Sequence, residues 1–377
     1  MNFNTIGFDA KRIVGNATGL GNYGCTLVND LAPLLSPALL RLYAPTPGRD
    51  ALRGRITEAP NVCFVYPKGS PSRIARDIWR SRNVVRDLVA DGVDIYHGLT
   101  GELPMGLKKS GVKGVVTIHD LIFMRHPEYY NPIDVLIYKW KFRLTCREAS
   151  HIIAISERTK ADIVELGGVN PDMITVVYQS SAPRFATPSS ADDIAATRRK
   201  YRLPQRFVLN VGTIEERKNV LLACRALHDL PQDVGLVIVG RRTKYADKVE
   251  AYCREHGLEG RVLMLSGVSD ADLACIYHAA EVFAYPSRYE GFGIPIIEAI
   301  QSGLPVVAAT GSCLEEAGGP DSLYVDPDNA HEAAAAIGQM LSGAEFREQR
   351  IALSREYVRR FENGDVAKQV AEVYRRL

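Results

Sequence analysis

The feature that most constrains this sequence is the alternation of short β-rich runs with helical patterns along its whole length. Such alternation is typical of parallel sheets covered by helices. Seven strands are predicted in the first half: Thr5–Phe8, Leu39–Tyr43, Cys63–Tyr66, Ile95–His97, Gly114–Ile118, His151–Ile155 and Ile174–Tyr178. Six are predicted in the second half: Phe207–Val211, Gly235–Val239, Val262–Leu265, Val282–Tyr285, Pro305–Ala308 and Ser322–Val325. We expect an α/β protein of two doubly wound units that face each other across a ligand-binding cleft.

The length of the chain also favours two domains, since 377 residues exceed what one hydrophobic core usually organises. Between the two series of strands lies a segment rich in Ser, Pro and charge, residues 180–206, which is predicted to be a linker leading into a helix. We predict domains over residues 1–185 and 186–358. A C-terminal helix over 359–377, with a break at Gly364, can pack on either domain or cross back to the first.

Composition excludes several classes of protein. A formal net charge of +2 gives no general attraction for nucleic acid. The seven scattered cysteines have neither disulfide nor zinc spacing, so we expect small core side chains in a reducing compartment. The first residues lack the features of a signal peptide, and no run of about 18 apolar residues occurs. These observations favour a cytoplasmic protein.

The stretch YPSRYEGFGIPIIEAIQSGLPVVA places two acids around a glycine-rich turn. Glu290 is expected in the loop and Glu298 in the first helical turn, so the carboxylates can reach different parts of one polyol ligand. The free backbone N–H groups from Phe292 to Ile296, including those of Gly293 and Ile294, form a site for anions or hydroxyls. The alternative is that Glu298 only complements the helix dipole and that Glu290 is solvated.

A second candidate site lies in FVLNVGTIEERKNV, where a predicted strand is followed by a tight turn at Gly212 and Thr213. Arg217 and Lys218 come next, near the start of a helix. An adjacent Arg and Lys beside free helix amides suit a diphosphate, because Arg can bind in a fork and Lys acts as a point charge. The alternative is an exposed basic pair that faces the two preceding glutamates.

Three other loops carry candidate residues. In VIVGRRTK, Gly240 and Arg241 repeat the order of strand, glycine and basic residue, although charged loops after strands are common. Gly19 and Gly21 precede a helical pattern expected from Asn22, and they form either a mobile phosphate-binding loop or a plain turn. His119 directly follows a predicted strand, at the end where α/β folds keep functional side chains, but a lone His is more often structural.

Together these motifs resemble glycosyltransferase family 4, whose members are retaining enzymes of the two-Rossmann GT-B fold. The most specific element is EGFGIPIIE, with its glutamates separated by seven residues. It is accompanied in the expected order by TGLGNYGCTLVNDL, TIHDLIFMRHPEYY, IIAISERTKADI, VGTIEERKN and GSCLEEAGGPDSLYVDP. The VGTIEERKN form is most similar to the bacterial mannosyltransferase branch.

The resemblance implies a nucleotide-sugar donor bound mostly by the second domain, residues 186–358, and makes the first domain, residues 1–185, the acceptor side. Glu290, with the amides of Phe292 and Gly293, would hold hydroxyls of the transferred sugar, and Glu298 would accept from the ribose. Ile294 and the loop residues Gly212, Thr213, Gly240 and Arg241 would complete the donor site.

The family also implies how the reaction proceeds. Arg217 and Lys218 would neutralise the departing diphosphate, so neither a metal nor another cofactor is expected. His119 would contact the donor sugar near the reacting carbon, and the loop from Gly19 to Gly21 would close toward phosphate or acceptor.

Two departures from the family pattern affect these expectations. Thr213 stands where many relatives have an Arg, so phosphate binding would depend more on Arg217 and Lys218. The usual glycine after VVY is replaced by YQSSAPRF, which leaves the hinge and the acceptor contacts there undefined.

Residues 72–90 show the pattern of a basic amphipathic helix, with apolar residues beside arginines at 73, 76, 80, 82 and 86. Residues 138–143, YKWKFR, add further basic and aromatic side chains. In this family the first domain often contacts an anionic membrane that carries a lipid-linked acceptor. The alternative is a core-packing helix with a solvated basic face.

The resemblance thus implies transfer of a hexose, with GDP-mannose as the first donor to consider, to a glycan or lipid-linked acceptor of a surface polysaccharide. The enzyme would be cytoplasmic, with possible peripheral contact at the inner face of the membrane. One alternative is a sugar-nucleotide epimerase or hydrolase of the same fold. Another is a non-catalytic homologue that binds a nucleotide sugar.

Overall fold

The protein forms two compact units. Its structure, a computed structural model, describes residues 3–17, 19–69, 72–361 and 365–377. The first unit comprises Met1–Gln179 and Gly364–Leu377, and the second comprises Ser180–Asn363. The first boundary therefore follows Gln179, and not residue 185 as the sequence predicted. The predicted helix break at Gly364 lies outside the described residues.

The first unit contains a seven-stranded parallel sheet with the order β3-β2-β1-β4-β5-β6-β7. Its strands are β1 Thr5–Asp9, β2 Leu39–Tyr43, β3 Val62–Val65, β4 Ile95–Gly98, β5 Lys113–Ile118, β6 His151–Ala154 and β7 Ile174–Val176. In the register, Ile6 pairs with Leu40 on one side and with Ile95 on the other. The strand order changes direction between β1 and β4, which is the point where open α/β sheets bind ligands.

Nine helices of the described chain cover this sheet. They are α1 Lys11–Gly15, α2 Gly19–Leu35, α3 Asp50–Arg53, α4 Arg73–Ile78, α5 Val84–Ala90, α6 Ile122–Arg125, α7 Pro132–Glu148, α8 Glu157–Gly167 and α17 Asp365–Arg375. The last of these belongs to the first unit although it follows the second in sequence. It does so because Val370, Ala371 and Tyr374 are buried in the core beside β1 and α2.

The second unit contains a six-stranded parallel sheet with the order β10-β9-β8-β11-β12-β13. Its strands are β8 Arg206–Val211, β9 Val234–Val239, β10 Val262–Leu265, β11 Val282–Tyr285, β12 Val306–Ala309 and β13 Leu323–Val325. Its helices are α9 Ala191–Tyr201, α10 Val220–Ala226, α11 Lys244–Glu255, α12 Asp270–Ala279, α13 Ile294–Gln301, α14 Leu314–Gly318, α15 Ala330–Ser342 and α16 Ala344–Val358. Here the strand order changes direction between β8 and β11.

The segment predicted as one amphipathic helix is interrupted. A π-helical turn, Trp79–Asn83, joins α4 to α5. Because a π turn holds more residues than an α turn, it shifts the side chains that follow α4 around the helix. Arg80 consequently points into the unit, where its side chain is only 12% exposed, and it does not belong to the basic outer face.

The expected loop at Gly19 and Gly21 is also corrected. Helix α2 begins at Gly19, so both glycines lie in its first turn. A Cβ atom on Gly21 would lie 1.9 Å from the carbonyl oxygen of Asn16, and the close approach of these backbones explains the glycine. Their assignment to phosphate binding stays a prediction.

The cysteines are free thiols, and five of the seven are buried as expected for core side chains. Cys63 is exposed and Cys146 is partly buried, contrary to that expectation. Among the described residues, no helix has the length and apolar character needed to span a bilayer.

Candidate active site

The candidate donor site of the second unit lies where the strand order changes direction. Strand β8 ends at Val211 and β11 ends at Tyr285, and both are parallel strands of one sheet. The loops that follow them, residues 212–219 and 286–293, therefore leave the same edge. This placement brings together residues that are more than 70 positions apart in the sequence.

Glu290 is the centre of a buried ion cluster. Its Oε2 atom lies 2.9 Å from Nη1 of Arg217, and its Oε1 atom pairs with Nζ of Lys218. The hydroxyl of Ser287 donates to Oε1 at 2.6 Å, and that of Tyr285 donates at 3.2 Å. Burial would raise the pKa of Glu290, but the charges of Lys218 and Arg217 and these hydrogen bonds lower it to about 2. Glu290 is therefore an ionised acceptor at neutral pH and not a solvated loop residue.

The two cations are held in fixed positions beside this carboxylate. Arg217 also donates to Oε1 of Glu215 at 2.7 Å and to the carbonyl oxygen of Tyr289, while Lys218 donates to the hydroxyl of Tyr285 at 2.6 Å. The side chains of Arg217 and Lys218 are 13% and 15% exposed. The alternative of an exposed basic pair is therefore wrong, although Arg217 does pair with Glu215.

Glu298 has a different environment from Glu290. Helix α13 begins at Ile294, directly after Gly293 with φ +132°, so Glu298 lies in the second helical turn and not in the first as predicted. Its Oε2 atom accepts from the hydroxyl of Tyr277 at 2.9 Å. Burial raises the pKa of Glu298 to about 7. One glutamate of the motif is thus firmly ionised and the other titrates near neutrality.

The backbone between the glutamates is fixed by Cys313, a residue that the sequence did not single out. Its Sγ atom contacts the carbonyl oxygens of Glu290 and Phe292 at 3.1 and 2.8 Å. The ring of Phe292 is buried against Phe361, with ring centres 5.2 Å apart. Ser287 and Tyr285 were also missed, although their spacing before Glu290 could have indicated them.

The remaining candidates in this unit have local roles. Thr213 is partly buried in the turn after β8 and Arg241 is exposed. A Cβ atom on Gly240 would lie 1.8 Å from the carbonyl oxygen of Gly212, so glycine is required where these two loops cross. Their part in donor binding stays a prediction.

His119 belongs to the first unit, where both of its ring nitrogens have partners. Nε2 lies 2.8 Å from the carbonyl oxygen of Leu99, and Nδ1 lies 2.9 Å from the side-chain amide nitrogen of Gln179. A carbonyl can only accept, so Nε2 carries the proton and Nδ1 accepts from Gln179. Burial lowers the pKa of His119 to about 4. It is therefore a neutral ring of fixed orientation at physiological pH.

A buried hydrogen-bond chain lies behind His119. The hydroxyl of Tyr374, in α17, lies 2.6 Å from Nδ1 of His97. Nε2 of His97 lies 2.8 Å from the hydroxyl of Thr117. The Thr117 hydroxyl lies 3.0 Å from that of Tyr23, and the Tyr23 ring meets the His119 ring edge to face at 4.9 Å. This chain fixes the surroundings of His119 through the core of the unit.

Comparison with known proteins identifies the class. Residues 28–180 match the family described as Glycosyltransferase Family 4, and residues 193–357 match Glycosyl transferases group 1. The O-antigen chain mannosyltransferase B of Escherichia coli is 30% identical over 288 residues, which are 75% of this chain and 74% of that protein. The MMP alpha-(1->4)-mannosyltransferase of Mycolicibacterium hassiacum is 29% identical over 82% of this chain and 75% of that protein.

The fold agrees with this class. HepE from Anabaena, in a crystal structure with UDP and glucose, has a TM-score of 0.76 at 20% identity, with complete coverage of both chains. The two Rossmann-like units are those of the GT-B fold. The protein is a glycosyltransferase of the hexosyltransferase class. More specifically, the chain belongs to glycosyltransferase family 4 and is similar to its mannosyltransferases.

Proposed function

We propose that this protein transfers mannose from GDP-mannose, with retention of configuration, to a glycan or lipid-linked acceptor in the synthesis of a surface polysaccharide. The similarity to an O-antigen chain mannosyltransferase supports the sugar and the type of product. The observation that carries the proposal is the buried cluster of Arg217, Lys218 and Glu290 at the switch point of the second unit.

Two cations beside one buried carboxylate suit a donor diphosphate. The diphosphate would bind Arg217 in a fork and Lys218 as a point charge, and its negative charge would replace part of their pairing with Glu290. Glu290 would then accept from hydroxyls of the transferred sugar, and Glu298 would accept from the ribose hydroxyls. In the same proposal, the backbone amides of Gly293 and Ile294 bind the sugar, since the first amides of a helix have no intrahelical acceptor. Pro295 has no N–H, and the amide of Ile296 donates to the carbonyl oxygen of Gly293.

The charge that develops on the departing diphosphate is the main electrostatic demand of the reaction. Arg217, Lys218 and the helix amides would stabilise it, so we propose that activity is independent of added metal ions. The departing phosphate would assist deprotonation of the acceptor hydroxyl, which attacks from the same face. His119, neutral and held by Leu99 and Gln179, would contact the sugar near the reacting carbon.

We further propose that the enzyme works in the cytoplasm and contacts the anionic inner face of the membrane. Arg73, Arg82 and Arg86 are exposed, and the first turns of α7 expose Ile133 and Leu136 by 68% and 69%. Basic and apolar side chains together favour an anionic interface. Replacing the three arginines by Glu should release the protein from anionic vesicles in flotation, whereas unchanged flotation would argue against this contact.

The direct test is a transfer assay with GDP-mannose, UDP-glucose, ADP-glucose and dTDP-glucose on mannobiose as acceptor. Of the four donors, we expect only GDP-mannose to give a product with mannobiose. EDTA should leave the rate of transfer unchanged, and NMR should show that the new linkage has the α configuration. Glu290→Gln should lower turnover strongly while leaving the GDP affinity in calorimetry nearly unchanged. Conversion of the donor without an acceptor would favour an epimerase or hydrolase, and nucleotide binding without any conversion would favour a non-catalytic homologue.

A further inference from the structure

The first unit has a cavity at the carboxyl edge of its own sheet that none of the assigned roles uses. The cavity has a volume of about 500 Å³ and is lined by the end of β1, the loop after β4, α4 with its π turn, and α7. It lies where the strand order changes direction, which is the position that open α/β sheets use for ligands. Its size is within the range of small-molecule sites.

The floor of this cavity is a rigid ion network around Arg80. The guanidinium donates to Oδ2 of Asp9 from Nε at 3.0 Å and from Nη2 at 2.6 Å, and to Oε2 of Glu102 from Nη1 at 2.5 Å. Lys141 donates to Oε1 of Glu102 at 3.0 Å. Burial opposes ionisation of Glu102, but Arg80 and Lys141 lower its pKa to about 2. Glu102 is therefore charged, and both carboxylates are held in place by Arg80 before any ligand arrives.

The backbone that supplies Arg80 is specialised for this position. Arg80 is the second residue of the π turn, and π turns inside α-helices occur frequently at functional sites. The preceding residue, Trp79, is buried, and its indole N–H donates to Asp87 at 2.6 Å. The turn is thus anchored on one side while it directs the guanidinium into the cavity.

The rim of the cavity is apolar and open. Trp140 is 52% exposed and Ile74 is 72% exposed, and both line the cavity. The charged lining residues balance, because three cations face three carboxylates: Lys11, Arg80 and Lys141 against Asp9, Asp77 and Glu102. A balanced lining favours a neutral ligand over an ion. Fixed hydrogen-bond acceptors below an exposed indole match a molecule with many hydroxyls and an apolar face.

We propose that this cavity binds a neutral saccharide, with its hydroxyls donating to Glu102 and its C–H face packed on Trp140. The Glu102 side chain is 32% exposed, and its carboxylate has acceptor positions beyond those used by Arg80 and Lys141. The indole supplies a broad apolar surface. That the saccharide is the end of the acceptor glycan rests on the proposed function.

Tryptophan fluorescence of the full chain tests the site directly, since the chain has only two tryptophans and Trp79 is buried. We expect mannobiose to change the emission in a saturable way, and Trp140→Phe to remove that change. Glu102→Gln should weaken mannobiose binding about tenfold, as expected for a charge-assisted hydrogen bond. Leu136→Ala is the matched control, because Leu136 is an exposed apolar residue of the same helix that does not line the cavity.

Absence of a saturable emission change with mannobiose would overturn the proposal. Equal losses of mannobiose affinity in Trp140→Ala and Leu136→Ala, measured by calorimetry, would also overturn it. Parallel calorimetry with GDP-mannose separates this result from the proposed function. If mannose is transferred and the acceptor KM is unchanged in Trp140→Ala, the saccharide site is wrong and the proposed function stands. If mannobiose binds at Trp140 and no nucleotide sugar binds, the saccharide site stands and the proposed function is wrong.

Discussion

The two units build ion clusters of different arrangement at equivalent points of similar sheets. At the β8/β11 switch point, Arg217 and Lys218 share one buried carboxylate, that of Glu290. At the β1/β4 switch point, Arg80 lies between two carboxylates, those of Asp9 and Glu102, and Lys141 pairs with Glu102 as well. A buried carboxylate between two cations leaves donors for a phosphate, whereas a guanidinium between two carboxylates leaves acceptors for hydroxyls. The comparison shows how one topology can present different chemistry, because the ligand preference depends on the loops after the strands.

The largest expected effect is on stability, at the ion cluster around Arg80 in the first unit. Arg80→Ala leaves the Asp9 carboxylate without its buried cation and removes one of the two cations beside Glu102, so we expect the free energy of unfolding to fall by about 3 kcal/mol. The control is Arg82→Ala, since Arg82 is exposed two residues further on, and its effect should stay within about 0.5 kcal/mol. Denaturant unfolding measures both variants. Equal effects would mean that the Arg80 network contributes no more than a surface charge.

The ion cluster around Glu290 in the second unit should show its main effect in donor binding. In Lys218→Ala, the donor diphosphate loses one charge-assisted partner, so GDP-mannose affinity should fall roughly 100-fold. Lys248→Ala removes an exposed lysine of α11, outside the candidate donor loops, and should leave the affinity unchanged. Calorimetry measures the GDP-mannose affinity of both variants. An unchanged affinity in Lys218→Ala would mean that this cluster is not part of the donor site.

Glu298 should make the donor affinity of the second unit depend on pH. Its pKa is raised to about 7, and ribose hydroxyls that donate to it would favour the ionised form. GDP-mannose affinity should therefore be full above pH 7 and should fall about tenfold per pH unit below it. GDP-mannose is the appropriate probe because its diphosphate does not titrate in this range. Glu298→Gln should abolish the dependence; if the slope persists, another group causes it.

The smallest expected effect is at Gln179, the last residue of the first unit, which donates to His119. Gln179→Leu removes one neutral hydrogen bond and should lower turnover about threefold. Gln179→Glu places a carboxylate beside Nδ1, which should raise the pKa of His119 from about 4 and move the acid limb of the pH–rate profile upward. A purely structural role would lower stability in both variants without displacing the profile.

The strands could be predicted from the sequence because buried parallel strands are continuous apolar runs. All thirteen predicted strands overlap an observed strand, and β2, β10 and β11 have the predicted bounds. The cluster around Glu290 was predicted in its residues but not in its contacts. Arg217, Lys218 and Glu290 were assigned to separate parts of the donor, whereas the structure joins them in one ion cluster.

Other features could not be predicted because the local pattern was ambiguous or the contacts are distant. Arg80 fits a basic helical face until a π turn changes the direction of its side chain. Its partner Asp9 lies 71 residues away, and no short motif connects the two. Gly19 and Gly21 resemble a loop by composition, and only the packing of Gly21 against Asn16 shows why the helix contains a glycine at position 21.

The placement of α17 has a consequence for biosynthesis. The ribosome completes every residue of the second unit before it makes Val370, Ala371 and Tyr374, yet these three belong to the core of the first. During translation the first unit therefore exposes the apolar groove that α17 later fills, and the buried His97 lacks its Tyr374 partner. The second unit, although made later, can finish folding earlier. Nascent chains should consequently need protection from aggregation at the first unit until α17 has emerged.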